Sequence, residues 1–244
     1  MVTDRPPVRL LALIGGLGLL SGLLLPIEAL VPGQAVPALV LRAAALVQPA
    51  LLLALAVWAG ARLAPGLGLG APVLAALTAG TTVQPALIRL WPATMFATLA
   101  VALTLWVYAL TISPLLLTAP GAAARLAAFE PPLLTRLLYG GVVEELLIRW
   151  GLLTVLAAGA MRLGMTRSPA LLTASLVSAL AFAAGHLPLL GMLTADPPPL
   201  VVAGVIAGNA VPGLIFAALY VRRGLEAAML AHGGAHLLAW LAGS

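Results

Sequence analysis

Apolar runs long enough to cross a bilayer recur from one end of the chain to the other, separated by short stretches rich in arginine, proline and glycine. A helical span needs about 20 such residues. On that criterion the pattern predicts helices over Val8–Leu25, Ala43–Ala61, Pro72–Ile88, Ala93–Leu117, Leu133–Ala160, Pro169–Leu190, Leu200–Val221 and Leu225–Ala242. The runs are continuous, without the period-2 alternation of barrel strands, so the expected fold is all-α: a polytopic transmembrane bundle of about eight helices. The third run is the weakest. Thr78, Thr81, Thr82, Gln84 and Pro85 interrupt it, and it reads as either a span or a re-entrant or interfacial segment.

Composition supports the same class. The chain is 63% hydrophobic and 8% charged, where an ordinary soluble domain carries roughly 25% charged residues. It lacks cysteine, which excludes a disulfide framework and thiol chemistry. All 12 basic residues are arginines, scattered at the edges of the apolar runs as membrane-interface anchors are, and no nucleic-acid patch forms. The expected partner is the lipid bilayer. The N-terminal run, with no small-residue cleavage site, is read as a retained first span. No linker divides the chain, so residues 1–244 form one membrane domain. Gly18-x-x-x-Gly22 and Gly204-x-x-x-Gly208 put small residues on one helix face and are assigned to packing. Gln48 and Asn209 are expected to bond across helices. Glu28, Glu130 and Glu226 fall at span ends, where a carboxylate is tolerated, and Asp196 falls in a solvated loop. With eight crossings the arginines divide evenly. Arg5, Arg9, Arg62, Arg125 and Arg136 fall on one side and Arg89, Arg162, Arg167, Arg222 and Arg223 on the other, so no orientation follows.

Few ionisable groups remain inside spans. They are Glu144, Glu145 and Arg149 in the fifth run, His186 in the sixth, and His232 and His236 in the last. Such residues usually face a bundle interior or a water-filled cavity and mark function. Glu145 and Arg149 stand four apart in the acid-first order that favours an ion pair. Glu144 is turned about 100° away and is free to face a cavity. His232 and His236 share a face, and Phe182 stands one turn before His186. On chemistry alone these residues fit a hydrolytic or metal-binding site, or a proton-coupled transporter.

Three ordered motifs narrow the choice. EELLIR (Glu144–Arg149) matches EExxxR, FAAGH (Phe182–His186) matches FxxxH, and GLIFAALYVRRGLEAAMLAHGGAH (Gly213–His236) carries a final helix with a histidine pair. Together they resemble the CPBP family, which includes the type II CAAX prenyl proteases and the bacteriocin-processing and Abi-like immunity proteins. The resemblance covers roughly the last 110 residues (131–244), and residues 1–130 carry no readable motif. Where the family commonly has FRG, this chain has Ile148, Arg149, Trp150 and Gly151. Where the family has HxxxN, it has HGGAH, so His236 replaces an amide.

The resemblance implies an intramembrane endopeptidase acting on a peptide or membrane-protein substrate, and the composition suggests a bacterial cell (inner) membrane. Glu144 would activate water with help from His186. His232 would polarise the scissile carbonyl, with His236 as second donor. Glu145 and Arg149 would support the Glu144 helix, and Phe182 would pack the His186 ring. No metal or other cofactor is expected. The zinc alternative rests on Glu144, His186, His232 and His236, which are ligand types suited to Zn²⁺. A non-proteolytic immunity or transport role is a further alternative. On straight spans His186 and His232 fall about 10 Å apart in depth, at a 1.5 Å rise per residue, so a common site requires the last helix to start deep or the sixth to extend beyond the bilayer.

Overall fold

The computed structural model describes residues 7–31, 33 and 35–243, so Arg5 lies outside the described residues. Eleven helices are named α1 to α11 below. Seven of them run lengthwise: α1 (Val8–Ser21), α2 (Ala38–Leu63), α4 (Gln84–Thr111), α7 (residues 133–162), α8 (Arg167–Ala184), α10 (Pro199–Arg223) and α11 (Leu225–Leu241). The short ones are α3 (Pro72–Thr78), α5 (Ser113–Leu117), α6 (Ala122–Ala128) and α9 (Leu187–Leu193). Four stretches, Ala38–Leu63, Gln84–Leu117, Arg167–Leu193 and Pro199–Arg223, are long and apolar enough to cross a membrane by length and composition. Leucines and aromatics face outward all round the bundle, among them Trp58, Trp91, Trp106 and Trp240. That is unworkable in water and expected against lipid, where tryptophans collect at the interfaces. The protein is an integral membrane protein.

Of the two readings of the third run, the continuous span is not formed. Its first part is α3, only 7 residues long. Gly80 then takes a left-handed φ of 65°, and the following threonines complete a turn before Pro85 opens α4 near its N-terminus. A proline is tolerated there because its missing N–H would be unpaired in any case. The fourth expected span therefore starts earlier, at Gln84.

Packing contacts fix the directions of the helices. Pro7, Gly68 to Pro72 and Arg222 to Gly224 line one cleft, which gathers the start of α1, the end of α2, the end of α10 and the start of α11 at a common N-terminal end. Helix α4 runs parallel to α11, since Thr98 meets Gly234 while Ala102 and Trp106 meet Leu238 and Ala242. Helix α10 is antiparallel to α4, with Gly204 against Ile112 and Gly208 against Tyr108. The small-residue motifs do act by close approach. A Cβ on Gly18 would stand 2.7 Å from the Leu138 carbonyl oxygen, and one on Gly204 would stand 2.7 Å from Ile112. In lipid, where no hydrophobic drive joins helices, such contact supplies the packing attraction.

Two apolar clusters form. The main core joins α1, α2, α4, α7, α10 and α11 around Trp150, Leu146, Leu153, Phe216 and Tyr220. A smaller cluster lies at the opposite end, where α5, α6 and α9 pack on the start of α10 through Leu116, Ala122, Phe129, Leu190, Leu193 and Val201. Arg125 ties this roof together by donating to the carbonyl oxygen of Leu193 at 3.1 Å.

Candidate active site

Helix α7 carries the two carboxylates and is wound unusually. Its segments Arg136–Glu144 and Leu146–Leu153 have π-helical geometry, with i→i+5 bonding of a kind that tends to occur at functional sites. Gly140 and Gly141 let it lie directly against α11. A Cβ on Gly141 would stand 3.1 Å from the backbone of Gly233, and one on Gly140 would stand 2.8 Å from the His236 ring. Three glycines thus bring Glu144 and Glu145 beside the two histidines of α11.

His186 is not inside a helix, contrary to expectation. Helix α8 ends at Ala184, and His186 occupies the joint before α9. Pro188 sits in the first turn of α9, and a proline there would break a continuous helix by clashing with the preceding turn. At this joint the Nδ1–H of His186 donates to the Phe182 carbonyl oxygen at 2.9 Å. A carbonyl can only accept, so Nδ1 carries the proton and Nε2 is left as acceptor in the neutral ring. The Phe182 ring packs edge-on to His186, centroids 4.9 Å apart.

The start of the last helix is buried in protein. Leu225, Glu226, Ala227, Ala228 and Met229 are all buried beneath the loop that leads into α3. Gly224 makes this possible: its φ of 107° turns the chain sharply, and a Cβ there would stand 2.4 Å from Pro72. Glu226 is consequently no span-end carboxylate at the surface. It is buried and accepts the Leu74 N–H at 2.8 Å, capping α3. The expected offset between His186 and His232 is not seen, since both line one pocket. Glu144, His186, His232 and His236 line one small pocket of 110 Å³ together with Phe182, Asn209 and Phe216.

The two adjacent glutamates occupy different environments. Glu145 is fully buried. Its Oε1 lies 3.1 Å from Nη1 of Arg149, which is equally buried, and 2.8 Å from Nδ1 of His232. Arg149 also donates from Nη2 to the Gly213 carbonyl at 2.9 Å, and its guanidinium lies over Phe182 and Phe216 at 4.9 and 5.3 Å. Glu144 keeps 25% of its side chain accessible, and its Oε2 lies 3.8 Å from His232 Nε2. The imidazole of His232 therefore spans the two carboxylates, stacked between Phe216 at 4.5 Å and His236 at 4.9 Å. The pairing of Glu145 with His232, 87 positions apart, was not visible in the sequence.

A second, larger cavity of 420 Å³ meets the first at Glu144, Phe182, His186 and His236 and continues past Tyr139 and Arg136 to Leu25, Pro131 and Leu189. Tyr139, Arg136 and Asn209 are site-lining residues that sequence reasoning did not single out for chemistry. Asn209 could have been found by the criterion that found the others, a polar group deep in an apolar run. It does not bond across helices as expected, for its Nδ2 donates to Val205 in its own helix at 2.8 Å. Gln48 is exposed on α2. Among the described residues, no group of three or more histidine, aspartate and glutamate side chains is arranged to hold a metal.

The class of protein these features define is a polytopic helical membrane protein with an ionisable site at the meeting of two internal cavities. Comparison with known families supplies the rest. Residues 126–238 match the family described as Type II CAAX prenyl endopeptidase Rce1-like, and this region holds Glu144, Glu145, Arg149, Phe182, His186, His232 and His236. Neither curated proteins nor solved structures give a match.

Proposed function

We propose that the protein is an intramembrane endopeptidase of the bacterial inner membrane that hydrolyses a peptide bond with water activated by Glu144. The observation that carries this reading is the division of labour between neighbours. Glu144 opens on both cavities beside three imidazoles, while Glu145 is closed off with Arg149.

In the proposed reaction Glu144 takes a proton from a water held between it and Nε2 of His186, and the hydroxide attacks the carbonyl carbon. The electron pair moves to the carbonyl oxygen. His232 enters the cycle already as an imidazolium, its Nδ1–H donated to Glu145 and its Nε2–H kept throughout, and Glu145 offsets its charge. The Nε2–H and the His236 ring are the donors for the oxyanion. Collapse of the intermediate breaks the C–N bond, and Glu144 returns its proton to the leaving nitrogen. Phe182 and Phe216 hold the rings in place, and Arg149 keeps the Glu145 charge balanced. No step is routed through a metal.

Purified wild type and Glu144→Gln protein, assayed for peptide cleavage, test this. The amide cannot take a proton, and loss of a general base removes about 10²–10⁴-fold in rate. The variant should accumulate in the membrane as wild type does. A fully active Glu144→Gln protein sinks the proposal. Substrate flux driven by a proton gradient, with no new peptide termini, would favour a transporter instead.

A further inference from the structure

The failure of the third expected span changes the parity of the chain, and with it the charge on each face. Because α3 turns back without crossing, every later helix end changes sides relative to an eight-span count. Arg9, Arg62 and Arg89 now share the N-terminal end with Arg162 and Arg167 of the α7–α8 turn and with Arg222 and Arg223 at the end of α10. The sole described carboxylate at that end is Glu226, buried and bonded to Leu74. The opposite end holds Arg42, Arg125 and Arg136, accompanied by Glu28, Glu130 and Asp196. Arg42 is bound to Glu28 and Arg136 to Glu130, while Arg125 is turned onto the carbonyls of α9. Seven described arginines against three is a strong bias, all of it in short loops and helix ends, where the rule that arginine stays on the cytoplasmic side holds best.

The larger cavity belongs to the arginine-poor end. Its outer wall is Leu25, which closes the first helical segment, Pro131, which precedes α7, and Leu189 on α9. No residue from the arginine-rich loops lines it. Between Glu144 and those loops stand the fully buried Leu146, Trp150 and Leu153 of the main core.

We infer that the cavity opens on the extracytoplasmic face of the membrane and that its substrate is a peptide segment reaching the bilayer from that side. The substrate half rests on the protease reading of the Glu144 site, whereas the orientation rests on charge and connectivity alone.

The chain has no cysteine, so single cysteines report sidedness without background. Asp196→Cys lies in an exposed loop at the arginine-poor end, and Thr166→Cys lies in an exposed turn at the arginine-rich end. In intact bacterial spheroplasts a membrane-impermeant biotin maleimide should label Asp196→Cys at once and Thr166→Cys only after lysis. The opposite pattern, or equal labelling of both, overturns the orientation. Protein reconstituted into vesicles can then be captured through either labelled cysteine, which sorts vesicles by the face turned outward. A pool of quenched fluorogenic peptides added outside should be cleaved by vesicles captured through Asp196→Cys, and cleavage should vanish with an added Glu144→Gln change. Cleavage confined to vesicles captured through Thr166→Cys overturns the inference. No cleavage in either population, nor after detergent opens them, removes the protease reading and the substrate half with it, while the labelling still decides the orientation.

Discussion

Replacing Arg149 by methionine keeps most of an unbranched side chain in place and deletes a charge from the centre of the bundle. Arg149 makes an ion-pair contact with Glu145 at 3.1 Å and a charge-assisted hydrogen bond to Gly213 at 2.9 Å. Glu145, with no exposure, would retain only His232 as a partner. Removing one member of a buried pair is expected to destabilise by about 3–5 kcal/mol. At roughly 2–4 °C per kcal/mol for a chain of this size, the midpoint should fall by about 6–20 °C. Glu145→Leu should do similar damage by stranding the guanidinium. The double variant should be more stable than either single, because an apolar pair replaces two buried charges. Activity should not return with stability, since Glu145 also holds Nδ1 of His232. Thermal unfolding of purified protein, followed by the emission of buried Trp150, gives the stability cycle, and peptide cleavage gives the other readout. Single changes that add to within about 0.5 kcal/mol would refute the coupling. A double variant with restored activity would refute the role given to Glu145.

Three further outcomes follow from particular contacts. His236→Asn retains a hydrogen-bond donor, so cleavage should stay within about tenfold of wild type and be indifferent to chelator, whereas outright loss of a donor costs about 10²–10³; collapse of the variant, with stoichiometric zinc in the wild type alone, would favour the metallo mechanism. Gly140→Ala places a methyl 2.8 Å from His236, and displacement of a catalytic ring by about 1 Å is expected to lower cleavage by up to about 10²-fold, with normal accumulation in the membrane. Gly141→Ala meets the Gly233 backbone at 3.1 Å, which cannot swing aside, and should lower stability by about 1–3 kcal/mol as measured by the same unfolding assay.

The parts of this architecture written in local pattern could be read in advance. Apolar runs located seven lengthwise helices, the i,i+4 spacing paired Glu145 with Arg149, and the motif order placed Glu144, His186, His232 and His236 in one site. What escaped depends on contacts distant in sequence or on local breaks inside apolar runs. A left-handed Gly80 and a proline at α4 ended the third run, and with it went the even split of arginines. Pro188 turned a helical His186 into a joint residue. Gly224 buried the start of α11, an effect that depends on Gly70 and Pro72 more than 150 residues earlier, where the Leu225 N–H meets the Gly70 carbonyl at 3.0 Å. Spacing rules written for 3.6 residues per turn also gave no sign that α7 winds more widely through its carboxylates.

The separation of the two apolar clusters has a consequence for how a peptide reaches Glu144. Proteins open in cooperative pieces, and a piece with its own small core can loosen while the rest stays closed. Helices α5, α6 and α9 form such a piece, with Leu189 of α9 also walling the cavity. Amide hydrogens over residues 113–128 and 187–193 should exchange sooner than those over Leu146–Leu153, whose side chains sit in the main core. In the proposed reaction, entry of a peptide would require only the transient loosening of these short helices, with the buried charges around Arg149 staying dry.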